Sequence, residues 1–144
     1  MNIEKMLIVA LVFIISSLNT VPALSAVNNQ NGSALFDEHC AACHGGDADP
    51  TKRMGPPVVA IRSHYLPDYK TKDQFIDAIV RWVKAPSQDY ALMPGAIKRF
   101  EIMAAIDLEE AEIKDIAEFI YDANHDVPGW FKQHYREQHG KDPE

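Results

Sequence analysis

Cys40-Ala41-Ala42-Cys43-His44 constrains this chain more than any other stretch. C-x-x-C-H is the attachment sequence of a c-type haem. Two thiols three positions apart reach the two vinyl groups on one edge of a porphyrin, and the imidazole beside the second thiol falls beneath the iron. A thioredoxin-like dithiol needs no following histidine and expects a βαβ context, which this region lacks. A zinc site needs four ligands, and there is no second cysteine pair to help. The expected cofactor is therefore one haem c, covalently attached through Cys40 and Cys43, with His44 as its first axial ligand.

Residues 1–25 read as a secretory signal. Lys5 supplies a positive start beside Glu4, Leu7 to Ile15 is an unbroken apolar run, and small residues around Ala23-Leu24-Ser25-Ala26 offer a cleavage site. The apolar core is too short to cross about 30 Å of hydrocarbon at about 1.5 Å per residue, so cleavage is expected instead of a membrane anchor. A cut after Ser25 suits the small-x-small rule better than one after Ala26. Export would ordinarily make two cysteines a disulfide candidate, but haem thioethers use both thiols. The expected location is the periplasm, with no membrane span once the signal is removed.

The remaining residues, 26–144, make one domain by length, with a C-terminal extension over about 124–144. The formal charge of −7 argues against nucleic-acid partners and for solubility or partners with basic patches. Asn28, Asn29, Gln30 and Asn31 form a polar lead-in expected to fray. From about Gly32 the pattern turns helical, with Leu35, Phe36, His39 and Cys40 on one face, until Gly45-Gly46. Residues 45–70, with Gly55, Pro56, Pro57 and Pro67, read as a long connector wrapped around the cofactor. Thr71-x-x-Gln74 is a capping box opening a helix with Phe75, Ile76, Ile79, Val80 and Val83 inward, and Pro86 ends it. Asp107-x-x-Glu110 is a weaker start signal. The segment after it carries Ile113, Ile116, Ala117 and Ile120 at helical spacing, with Asn124 as its C-terminal cap. Trp130, Phe131 and Tyr135 suggest a short tail helix packed on the body. No run alternates with period two, so the fold class is all-α.

A helix ending in C-x-x-C-H, the Gly55-Pro56 segment, and a methionine loop before an amphipathic last helix together resemble a class I c-type cytochrome, a small helical domain wrapped around one covalent haem. The resemblance covers roughly residues 32–123. It implies a methionine as the sixth ligand, set in the loop leading into the last helix, and an aromatic on that helix packed against the first. Met103 precedes Phe119 by a separation that resembles the family, and is preferred. Met93 is the alternative, because Met93-Pro94 is a familiar ligand dipeptide in such cytochromes, whereas Met103 is followed by Ala104. Met54 falls in the stretch corresponding to the proximal side. The resemblance also implies that the carbonyl of Pro56 accepts a hydrogen bond from His44, with Pro57 a one-residue ambiguity. His64 would be a distal ligand only if the iron were bound by two imidazoles. His39, His125, His134 and His139 read as surface residues, and Trp82, Tyr90 and Trp130 as packing residues.

The function these readings point to is a periplasmic monohaem carrier of one electron, not an enzyme. Its partners would be a donor reductase or dehydrogenase and an acceptor oxidase or reductase, and the chain itself is expected to be a monomer. As the resemblance implies, electrons would enter and leave at the exposed haem edge, where Lys98 and Arg99 would form a basic rim. The alternatives are a haem-bearing subunit of a membrane-associated redox complex, docked by the tail, and a haem enzyme or gas-binding protein with an open sixth position.

Overall fold

Three helices carry the core, and each is amphipathic for a reason visible in its residues. The computed structural model describes residues 24–46, 50–122 and 126–143. The signal segment lies outside them up to residue 23, as do Asn124 and His125. Helix α1 spans Leu24–His39, α2 is the single turn Ala41–His44, and α3 is Val58–Tyr65. Helix α4 spans Lys72–Lys84, α5 Pro94–Phe100, α6 Glu110–Asp122 and α7 Gly129–His139. Short 3-10 turns occupy Pro50–Lys52 and Gln88–Tyr90. Among the described residues there is no strand, and the fold is all-α.

Helix α1 crosses α6 at Gly32. A Cβ there would collide with the Asp115 carbonyl and come within 2.9 Å of Phe119 Cβ, so glycine is what lets the two backbones approach. Asn31 Nδ2 donates to Asp115 Oδ2 at 2.6 Å beside the crossing. One turn further on, the rings of Phe36 and Phe119 lie 5.5 Å apart, the contact between first and last helices that the resemblance implies.

Helix α4 opens on its capping box: Gln74 N–H donates to Thr71 Oγ1 at 3.2 Å, and Thr71 N–H donates to Gln74 Oε1 at 3.3 Å. It buries Phe75, Ile76, Ala78 and Ile79 against Ile116, Ala117 and Ile120 of α6. Full burial of such side chains is worth about 1.5–3 kcal/mol each, so this interface contributes several kcal/mol beside the α1–α6 crossing. Lys72 Nζ bridges back to Asp122 at 2.7 Å and Glu118 at 3.5 Å. That pairing is half-exposed, and exposed pairs of this kind contribute about 0–1 kcal/mol.

A second, smaller cluster joins α3 to the tail. Phe131 and Tyr135 of α7 are 1% and 2% exposed against Val59 and Ala60, and the Tyr135 hydroxyl donates to the Ser63 carbonyl at 3.1 Å. The tail is thus part of the body. Arg62 Nε donates to the Tyr121 carbonyl at 3.0 Å, tying α3 to the end of α6.

The structure departs from the sequence reading at three points. The polar lead-in is helical from Leu24, because the α1–α6 crossing holds a segment whose own propensity is poor. The connector over 45–70 contains a helix, α3, which buries Val59, Ala60, Ser63 and Tyr65 along one face. Pro56-Pro57 followed by two valines reads as extended chain, yet proline before a first turn is well suited to open a helix. Helix α6 begins at Glu110, not after Asp107: the Glu112 carboxylate accepts from the Glu109 N–H at 3.0 Å, and Ile113 N–H donates to the Glu109 carbonyl.

Candidate functional site

Cys40 breaks the first helix. Its backbone leaves helical geometry (φ −121°, ψ −35°), and the chain turns once more through Ala41–His44 before Gly45 leads away extended. Cys40 N–H still donates to the Phe36 carbonyl at 2.8 Å, and His44 N–H donates to the Cys40 carbonyl at 2.9 Å. The break redirects the chain so that one thiol and the imidazole face the same interior. Cys40 is partly buried and Cys43 is exposed.

The imidazole is fixed from the side by a segment twelve residues away. His44 Nδ1–H donates to the Pro56 carbonyl at 2.7 Å. A carbonyl only accepts, so Nδ1 carries the proton and Nε2 keeps its lone pair. Gly55, buried just before, makes the approach possible: a Cβ there would lie 3.0 Å from His44 Cε1 and 3.2 Å from Nδ1. Burial lowers the pKa of His44, although the Pro56 hydrogen bond opposes the shift. The ring is therefore kept neutral, the form in which imidazole binds a metal.

Beside this imidazole lies a partly open apolar cavity. Cys40, His44 and Pro56 border it, and so do Met93 and Met103. Phe36, Ile79, Ile116 and Ile120 line it from the three core helices, with Tyr65 and Trp82 beside them. The wall is almost wholly apolar. Burial, with a smaller push from Tyr69, raises the Tyr65 phenol to about 12, so it stays neutral. Burial also raises the Cys40 thiol to about 11, helped by Cys43. An activated redox dithiol has a depressed pKa, so this pair is unlike one.

Of the residues singled out in the sequence, Cys40, His44, Pro56, Met93 and Met103 meet around one cavity. Cys43 stands exposed and is not among the lining residues. Met54 is exposed. His64 borders a different cavity, with His134 and His139. Lys98 and Arg99 are exposed on α5. Sequence reasoning missed Glu101, which closes α5 at φ 66°, ψ 179°. That conformation is essentially reserved for glycine, and it turns the chain two residues before Met103. Nothing in a glutamate marks such a turn.

A flat apolar ring system with one metal centre fits these residues. They offer a neutral nitrogen of fixed tautomer, thioether sulfurs on the same wall, adjacent thiols, and a hollow walled by aliphatic and aromatic side chains. The cytochrome c family model matches residues 29–124. The chain belongs to the cytochrome c family. The match runs from within α1 to just beyond the end of α6, and so includes the attachment motif, both methionines and the three core helices. No curated protein and no solved structure matches this cytochrome significantly. The family binds haem c and works in haem-based electron transfer. No described helix of this cytochrome is long and apolar enough to cross a membrane.

Proposed function

We propose that this cytochrome is an exported one-electron carrier with a single haem c, held through Cys40 and Cys43 and ligated by His44 and Met103. The observation that carries the reading is the His44 imidazole. Its tautomer is set by Pro56 across 2.7 Å, and it borders the same apolar cavity as two methionines. When bound, the haem supplies a one-electron iron couple, whose potential a thioether ligand raises relative to a second imidazole. The chain does the rest. Pro56 orients the His44 ring and increases its basicity as a ligand. Phe36, Ile79, Ile116 and Ile120 exclude water. Exposed Cys43 belongs to the side through which electrons would enter and leave.

Met103 is preferred over Met93 on packing grounds. Met93 packs against both hydrophobic clusters and borders both cavities, so its side chain already has a structural role. Met103 packs against neither cluster and, of the two cavities, borders the one shared with His44. Its thioether has the cavity as its main environment.

The redox partners are a donor dehydrogenase or reductase and an acceptor oxidase or reductase, met in the periplasm. The export signal over residues 1–25 supports that location, and exposed Lys98 and Arg99 near the methionine loop give an acidic protein a local basic rim for steering. The test is a pair of variants, Met103→Ala and Met93→Ala, examined as ferric proteins. The weak near-red sulfur-to-iron band should vanish only in Met103→Ala, which should also bind carbon monoxide rapidly when reduced. Loss of the band only in Met93→Ala would reassign the ligand, and its absence from the wild type, with fast carbon monoxide uptake, would reject the carrier reading.

A further inference from the structure

The tail helix brings a pair of imidazoles together, at a cavity other than that of His44. His139 Nε2 lies 3.3 Å from His64 Nε2, across seventy-five positions of chain. On the other side of its ring, His64 Nδ1–H donates to the Ala60 carbonyl at 2.7 Å. That bond puts the proton on Nδ1 and leaves Nε2 with a lone pair aimed at His139. Both rings are braced by Tyr135: His139 lies against it at 4.2 Å between centroids, and His64 meets it edge-on at 5.3 Å. Tyr135 is itself 2% exposed and bonded to Ser63. The pair is therefore held by the body of the protein.

We propose that His64 and His139 form a binding site for a divalent late transition metal, zinc or copper, which clips α7 to α3. The spacing carries the argument. Two imidazole nitrogens on a tetrahedral metal, each at about 2.0–2.1 Å, stand about 3.3–3.4 Å apart. In the metal-free protein the same spacing allows an N–H···N hydrogen bond between the rings, which a metal bonded to both lone pairs would replace. The outer bond from His64 Nδ1 to a backbone carbonyl is the arrangement that metal-bound histidines almost always show.

The surroundings select the metal. Arg53, Arg99 and His134 border the same cavity, and their charge disfavours a cation held only by electrostatics, such as calcium or magnesium. Zinc and copper bond imidazole nitrogen strongly enough to tolerate this. Among the described residues, no set of three or more His, Cys, Asp or Glu side chains is gathered for a metal. The site thus has two protein ligands, with water in the remaining positions and an affinity in the range of ordinary surface chelates, not of structural zinc.

The test is calorimetric titration of the purified, untagged ferric protein with zinc sulfate after chelator treatment. It uses the wild type and three variants, His64→Gln, His139→Gln and His134→Gln. The wild type should bind one zinc ion per chain and melt at a higher temperature with zinc present. His64→Gln and His139→Gln should each weaken binding at least tenfold and lose the thermal shift, while His134→Gln stays within threefold of the wild type. His139 is exposed near the end of α7, so His139→Gln keeps the test decisive if His64→Gln folds poorly. Wild-type binding no tighter than millimolar would overturn the proposal. So would His139→Gln that binds zinc as tightly as the wild type.

Discussion

His44 reaches across the cavity mouth to Pro56, and the 2.7 Å bond from its Nδ1–H to that carbonyl settles which nitrogen is left for a metal. The residue beside the bond is Gly55, packed so closely that a Cβ there would lie 3.0 Å from His44 Cε1 and press on the ring. A substitution there acts on the imidazole without removing it. Gly55→Ala should tilt or push the His44 ring, lengthen the Pro56 bond and weaken the ligand's donor strength. The expected result is a higher reduction potential and a loss of about 1–3 kcal/mol of stability from overpacking. Voltammetry and chemical denaturation would measure both, and an unchanged potential would separate the ring's position from its electronics.

Gly32 is the second glycine whose missing side chain matters. Gly32→Ala would force the Asp115 carbonyl and Phe119 away from α1, and the Phe36–Phe119 contact with them. A loss of about 1–3 kcal/mol is expected, read as a lower denaturant midpoint. A midpoint equal to the wild type would mean that α1 and α6 do not cross at this residue.

Ser63 is 1% exposed, and its hydroxyl has no hydrogen-bond partner among the described residues. An unsatisfied buried polar group costs about 1–3 kcal/mol. Ser63→Ala removes that group while keeping the carbonyl that Tyr135 uses. The variant should match or exceed wild-type stability, by up to about 1 kcal/mol, in thermal unfolding. A clear destabilisation would show that the hydroxyl is satisfied in solution.

His64 makes stability depend on pH. Burial lowers its pKa, with the Ala60 hydrogen bond opposing and His139 and His134 adding to the depression. Below about pH 6.5, the ordinary histidine value, the unfolded chain therefore binds a proton that the folded chain resists. Stability should fall as pH drops through this range toward the folded pKa, and rise again toward neutral pH. In chelator-containing buffer, His64→Gln should flatten the slope of denaturant midpoint against pH. An unchanged slope would assign the effect to other groups.

Much of this arrangement is legible in the sequence, because its strongest signals are local. The five residues 40–44 carry the cofactor chemistry through spacing alone. Thr71 and Gln74 mark a helix start by side-chain reach, and Ile113, Ile116, Ala117 and Ile120 mark a buried face by period. What the sequence hides is tertiary. Helix α3 follows two prolines and begins with two valines, so its local preferences point to extended chain, and the faces it buries against the tail and the main core hold it helical. The choice between Met93 and Met103 depends on which thioether the clusters have already used, which no spacing encodes. The meeting of His64 with His139 depends on α7 folding back, and single histidines in a polar tail give no sign of it.

A porphyrin bonded to the chain at Cys40 and Cys43 would survive unfolding of the protein. Intact-mass measurement of the purified protein, after denaturation and extraction with acidified organic solvent, reads that bond. The colour should stay with the polypeptide, which should weigh one haem more than its bare chain, and a Cys40→Ser, Cys43→Ser double variant should lose this mass. A protein whose mass equals its bare sequence, or whose pigment passes entirely into the solvent, would contradict that attachment.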